Sequence, residues 1–372
     1  MAEAIVFADS AIEASIGKLM PGAVFVVTKD GEIVHNRAFG SVKTSTVFDL
    51  ASVTKVMATT FAMMMLVDQG KVDLDAPVYT YLHDFRGPHL DSITPRHLLQ
   101  HSAGLVQWQP LYYQAKNTQE TYAAIRDMPL QWGVGEGRHY SDFSFMLLGD
   151  IVEKVTGKRL DVFIDSALYK PLGLTKTTFN PRKKGLKEFA PTELGNGYEK
   201  HMVYDSTFGY RYRGDPTSWN GWRNYQTVGE VNDGNSFYAN GGVAGHAGLF
   251  STGAELSVLL QVLLNGGTYD GRTYVSQKTI DRFLAYDKYK NFLGWQYPAQ
   301  LRNPMAFSHT GFTGTYVLGD RLDRLSVVLL TNKQALGTNE KGFFPDLAPL
   351  QLAIAGAIMN AAHLDGGRSD SR

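Results

Sequence analysis

Apolar positions along the chain follow two periods, and the changes between them outline an architecture. Residues 22–40 place β-branched and aromatic residues on either side of Asp30-Gly31. Because that dipeptide accepts positive φ, the pattern predicts a β-hairpin. Residues 305–333, "MAFSHTGFTGTYVLGDRLDRLSVVLLTNK", predict up to three more strands with a tight turn around Asp320 to Asp323, joining the first hairpin in one antiparallel sheet. Residues 346–362, "DLAPLQLAIAGAIMNAA", change to a helical period, and this helix is expected to cover the sheet.

The middle of the chain is mostly helical in pattern. "TPRHLLQHSAG" predicts a helix capped by Thr94, with Pro95 in its first turn and a stop at Gly104. "FSFMLLGDIVEKVTG", residues 143–157, predicts a second amphipathic helix ended by glycine. Residues 195–250 are rich in Gly, Asn, Tyr and Trp and read as long functional loops. The expected fold class is α+β: an antiparallel sheet flanked by helices. The expected division pairs residues 1–75 with 247–372 in the sheet-bearing domain and gives 76–246 to a mostly helical insertion.

Composition narrows the function classes. The chain has 372 residues, 44% of them hydrophobic, enough for a large core. Lys plus Arg and Asp plus Glu both total 36, so no charge imbalance favours nucleic acid or an anionic membrane, and the expected partner is a small molecule. Cysteine is absent, which excludes disulfides, thiolate nucleophiles and Cys-bound zinc. The sequence has neither H-E-x-x-H nor a nucleotide-binding glycine motif, so neither a metal nor a cofactor is expected. The N-terminus lacks a signal-peptide pattern as written, favouring the cytoplasm unless a leader has been removed. "FAMMMLV", residues 61–67, is much shorter than the roughly 20 residues of a membrane span.

Two S-x-x-K spacings occur, about what chance predicts for one or the other. Ser15-Ile16-Gly17-Lys18 contains a helix-weakening glycine and runs into Met-Pro-Gly, so it is expected at a surface helix end. Ser52-Val53-Thr54-Lys55 instead opens "VMATTFAMMMLVDQG", whose near-continuous apolar content predicts a buried helix. There a desolvated Lys55 would lie one turn from the Ser52 hydroxyl as a base, and the Ser52 N–H would face an oxyanion. A helix cap at Ser52 with a snorkelling Lys55 explains the same residues equally well on this segment alone.

Tyr140-Ser141-Asp142, at the entry of the second helix, and His309-Thr310-Gly311, on a C-terminal strand, add two further elements in chain order. With them the chain resembles the class C β-lactamase-like family of serine hydrolases, which includes penicillin-binding proteins, D,D-peptidases and esterases. "FDLASVTKVMATT", "GKVDLDAPVYTYL", "ITPRHLLQHSAGL", "YSDFSFMLLGDIVEKVTG", "GGVAGHAGLFST" and "SHTGFTGT" carry the resemblance over nearly the full length. It implies an acylated nucleophile at Ser52, a base at Lys55 and a proton shuttle at Tyr140. It further implies a substrate-side strand of His309, Thr310 and Gly311, with the Phe312 N–H as second oxyanion donor, a contact typically worth ~3 kcal/mol in the transition state.

Two departures bear on the substrate. Asp142 stands where the family usually has Asn, which removes an amide donor and offers Lys55 a counter-charge. His309 stands where Lys is usual, replacing a fixed cation with a mostly neutral group. Tyr212, Trp219 and Trp222, with His246, are candidates for a substrate wall, and plain loop packing is the competing explanation. "VGEVNDGN" and "GGVAGHAGLFST" are similar to a bacterial branch linked to muropeptide recycling, including amidases between N-acetylmuramic acid and L-alanine. The expected activity is hydrolysis of an ester, or of an amide in a cell-wall fragment. The alternatives are a weak β-lactamase, a D,D-carboxypeptidase or a non-catalytic binding protein on the same fold.

Overall fold

The computed structural model describes residues 1–369. Its central sheet runs, from edge to edge, Glu32–Gly40, Gly22–Lys29, Leu325–Thr331, Tyr316–Asp320 and Ala306–Thr310, with every described pairing antiparallel. The strands from both ends of the chain therefore meet in one antiparallel sheet, as the two β-rich segments predict. Side chains alternate across the sheet. Val24, Val26, Val328 and Leu330 join the core shared with the helix Gly253–Leu264. Phe25, Val27, Val327 and Leu329 face the helices Ala2–Ser15 and Ala348–Ser369.

The predicted helix over residues 94–104 is shorter than expected. It spans Pro95–Leu99, with the Thr94 hydroxyl accepting from the His97 N–H. The chain then leaves the helix at His101, whose φ of 56° is left-handed, three residues before Gly104. The next predicted helix spans Asp142–Thr156 and stops on Gly157 at a φ of 68°, as its glycine signal implies.

Ser15 is the last residue of the N-terminal helix, where its hydroxyl donates to the Ala11 carbonyl at 2.8 Å, and Lys18 is exposed beyond it. The segment after Ser52 goes inward. It consists of a 3₁₀ turn at Ala51–Val53, a widened π turn at Lys55–Thr59 and an α-helix at Thr60–Asp68. Within the widened turn the Tyr169 hydroxyl donates to the Met57 carbonyl at 2.8 Å, and the Thr60 hydroxyl to the Lys55 carbonyl at 2.7 Å. The whole helical run is longer than the apolar heptad at 61–67 suggests. Eighteen residues, Ala51–Asp68, have a mean hydropathy of 1.2, which matches a membrane span by composition, and 83% of them are buried inside the protein.

Candidate active site

The turn that presents Ser52 is held on both sides. Ala51 adopts a φ of 46°, a strained value for a residue with a side chain. Its N–H donates to Asp49 Oδ1 at 2.8 Å, while Asp49 Oδ2 accepts from the Asn232 N–H at 2.7 Å. Burial pushes the Asp49 carboxyl up to about 6, against the pull of those two N–H donors. Asp49 thus ties the Ser52 turn to the 232–233 loop.

The end of the His309 strand is fastened to the same turn. The Thr313 hydroxyl donates to the Asp49 carbonyl at 2.7 Å and the Thr315 hydroxyl to the Leu50 carbonyl at 3.0 Å. A Cβ on Gly311 would lie 2.0 Å from Thr315 Oγ1 and 2.4 Å from the Leu50 oxygen. Glycine is therefore required for the approach of strand to turn. Gly245 plays the same part behind the site, since a Cβ there would lie 2.0 Å from the Phe145 carbonyl oxygen.

Lys55 is fully buried, and its ammonium donates to Ser52 Oγ at 2.9 Å, Asp142 Oδ1 at 2.7 Å and the His246 carbonyl at 3.2 Å. Burial alone pushes this lysine down. The Asp142 charge and its hydrogen bond, with the Tyr140 oxygen beside them, outweigh it and hold Lys55 above its ordinary range. A lysine in that state is a donor, so the expected resting base at Lys55 is instead a cation. Its nitrogen lies 5.0 Å from the centroid of the Tyr140 ring, which stacks on His101 at 4.4 Å. His101 accepts from the Ser141 N–H at 3.0 Å, and burial keeps it neutral, well below the usual histidine range.

His309 is also buried and neutral. Its Nδ1–H donates to the Thr310 carbonyl at 2.8 Å, while burial and then the Lys55 charge push it down to about 3. Among the described residues, the N–H groups of Ser52 and Phe312 have no hydrogen-bond partner. Both residues line a cavity of about 710 Å³, together with Tyr140, Asp142, Thr310 and Gly311. Three distant segments thus converge on one cavity with two free N–H donors at Ser52.

Of the four expected wall residues, only His246 reaches this cavity. Tyr212, Trp219 and Trp222 pack away from it: Trp219 lies 4.8 Å from both Tyr112 and Trp222, and Tyr212 lies 5.1 Å from Tyr113. Arg223, in the same stretch, is buried and donates to Asn196 Oδ1 and to the carbonyls of Val231 and Asn232. The aromatic density of that loop builds a small core of its own. Trp108, Tyr198 and Tyr210 face the cavity in their place.

Sequence reasoning also missed the acidic side of the cavity. His246 Nε2 bonds Asp233 Oδ1 at 2.8 Å. Glu199, which accepts from the Tyr112 hydroxyl and the Gly234 N–H, is pushed up to about 8 by burial and then by the Asp233 charge. Asp142, Asp233 and His246 place ligand atoms within 4.8 Å of one another, the spacing of a metal site. Lys55 already pairs with Asp142 and the His246 ring bonds Asp233, so a metal ion would have to displace these bonds and sit against a buried ammonium.

A serine and a lysine joined at the end of a buried helix, beside two free backbone N–H groups, define a serine hydrolase site of the β-lactamase and penicillin-binding kind. Comparison with known proteins agrees. The profile of the Beta-lactamase family matches residues 8–343, and the chain belongs to that family. An N-acetylmuramyl-L-alanine amidase of Bacillus subtilis (strain 168) is 37% identical over 370 residues, covering 88% of this chain and 80% of the relative. A protein of Escherichia coli (strain K12), provisionally named a D-alanyl-D-alanine carboxypeptidase, is 34% identical over 84% of this chain and 78% of its own. The fold matches a penicillin-binding protein homologue from Caulobacter crescentus with a TM-score of 0.71 at 20% identity, covering 96% of this chain and 97% of that one. The protein is a β-lactamase-family serine hydrolase.

Proposed function

We propose that the protein is an amidase of cell-wall fragments that forms an acyl-enzyme at Ser52, cleaving the amide between a muramyl lactyl carbonyl and L-alanine. The observation that carries the chemistry is the Lys55 ammonium bridging Ser52 Oγ and Asp142 Oδ1 at 2.9 and 2.7 Å beneath the cavity. The substrate class rests on the relative at 37% identity, named for that amide.

In the first half-reaction Ser52 Oγ bonds to the carbonyl carbon and its proton passes to the Tyr140 oxygen. The Tyr140 hydroxyl acts as a relay for that proton, and the Lys55 cation stabilises the charge that develops on Ser52 Oγ during the transfer. The Ser52 and Phe312 N–H groups receive the carbonyl oxygen as it gains charge. The C–N bond then breaks, and Tyr140 returns the proton to the leaving amine. In the second half water adds to the ester carbon, gives a proton to Tyr140, and Ser52 leaves with that proton restored.

Incubation with N-acetylmuramyl-L-alanyl peptides should release peptides that begin with a free L-alanine amine. Faster release of D-alanine from D-alanyl-D-alanine peptides would replace this substrate with that of a D,D-carboxypeptidase.

Asp142→Asn tests the charge state of Lys55. Asp142 raises the lysine, so its removal leaves burial dominant and lowers it. In the wild type the charged lysine should persist far into the alkaline range. In the variant, the alkaline fall of kcat/KM for p-nitrophenyl butyrate should move towards neutral pH. An unmoved profile would mean that Asp142 does not govern the lysine.

A further inference from the structure

The neutral His309 leaves the strand side of the cavity without the cation usual for this family, and the cavity supplies another from a different element. Lys333 is the one lysine or arginine among the described residues lining the cavity. It begins the short 3₁₀ turn Lys333–Leu336, directly after the strand Leu325–Thr331. Asn332 fixes its backbone: Asn332 Oδ1 accepts from the Gly22 N–H at 3.1 Å and its amide donates to the Pro191 carbonyl at 3.1 Å.

The Lys333 stem runs over Gly314, where an added Cβ would come within 3.2 Å of Lys333 Cγ, and its nitrogen lies 5.7 Å from the centroid of the Phe312 ring. The cation therefore stands at the wall next to the oxyanion donor of Phe312. Asp346 lines the same cavity without forming an ion pair with it. Burial lowers Lys333, with Asp346 acting the other way. A half-buried ammonium facing an open cavity without a bonded counter-ion is placed to receive an anion.

We infer that Lys333 forms a carboxylate subsite, binding a free carboxylate of the substrate next to the scissile carbonyl. On the amidase reading, on which this inference rests, that group is the alanine carboxylate of a substrate whose L-alanine carries no further residue, as in N-acetylmuramyl-L-alanine. The acid-rich remainder of the cavity, with Asp142, Glu193, Glu199 and Asp233, offers a carboxylate no comparable place.

The test compares N-acetylmuramyl-L-alanine with its C-terminal carboxamide, each as a competitor of p-nitrophenyl butyrate turnover, so that binding is read whether or not the competitor is cleaved. The wild type should bind the acid about tenfold or more tightly than the carboxamide. Lys333→Met, which keeps the stem, should erase that preference, and Lys333→Arg should retain most of it. Equal binding of acid and carboxamide by the wild type, binding of neither, or a preference that survives Lys333→Met overturns the subsite. An acid that competes in a Lys333-dependent way but is not cleaved supports the subsite and overturns the amidase reading alone.

Discussion

Ser52→Ala is expected to lower kcat/KM by at least about 10⁴ on any ester or amide substrate, with the fold intact. The alanine removes only the atom that Lys55 donates to at 2.9 Å. Lys55 keeps Asp142 and the His246 carbonyl as partners, so no buried charge is stranded. Ser15→Ala, with the same spacing to its own lysine, should leave turnover within about twofold, because that hydroxyl closes on the Ala11 carbonyl at a helix end. Comparable losses from the two variants, measured with p-nitrophenyl butyrate, would place the nucleophile elsewhere.

The second large effect is expected from a single methyl group. Gly311→Ala puts a Cβ 2.0 Å from Thr315 Oγ1 and 2.4 Å from the Leu50 carbonyl, one of them backbone and unable to yield cheaply. The strand end must then retreat from the turn that carries Ser52, taking the Phe312 N–H with it. A displacement on the order of 1 Å at reacting groups costs about 100-fold, so kcat should fall by that factor or more. The loss should appear in kcat rather than in KM, since oxyanion donors act on charge that develops after binding. A variant that folds and keeps wild-type kcat would show that the Phe312 N–H is not an oxyanion donor.

The sheet was legible in the sequence because its strands are short runs of β-branched and aromatic residues and one hairpin carries Asp30-Gly31, a local turn signal. The short helix at Pro95–Leu99 was overestimated because its end depends on His101 entering a left-handed conformation, which its residue type gives little sign of. That conformation accompanies contacts across the chain, with the ring under Tyr140 and bonded to Ser141.

The site divides in the same way. Ser52, Lys55, Tyr140 and the His309 strand are marked by spacing and chain order, and they do meet at one cavity. Asp233 and Lys333 carry no local signal; each matters because of what a distant segment leaves beside it. Asp49 and the threonines of "TGFTGT" lay within quoted motifs, but their bonds join residues more than 260 positions apart. For Tyr212, Trp219 and Trp222 the packing alternative holds, because a sequence of Tyr and Trp does not say whether rings face a cavity or one another.

The account depends most on covalent chemistry at Ser52. Intact-protein mass spectrometry after treatment with a fluorophosphonate, followed by peptide mapping, tests it most directly. One adduct per chain on the peptide containing Ser52, absent from Ser52→Ala, is the expected result; no adduct, or one that persists in the variant, would contradict it.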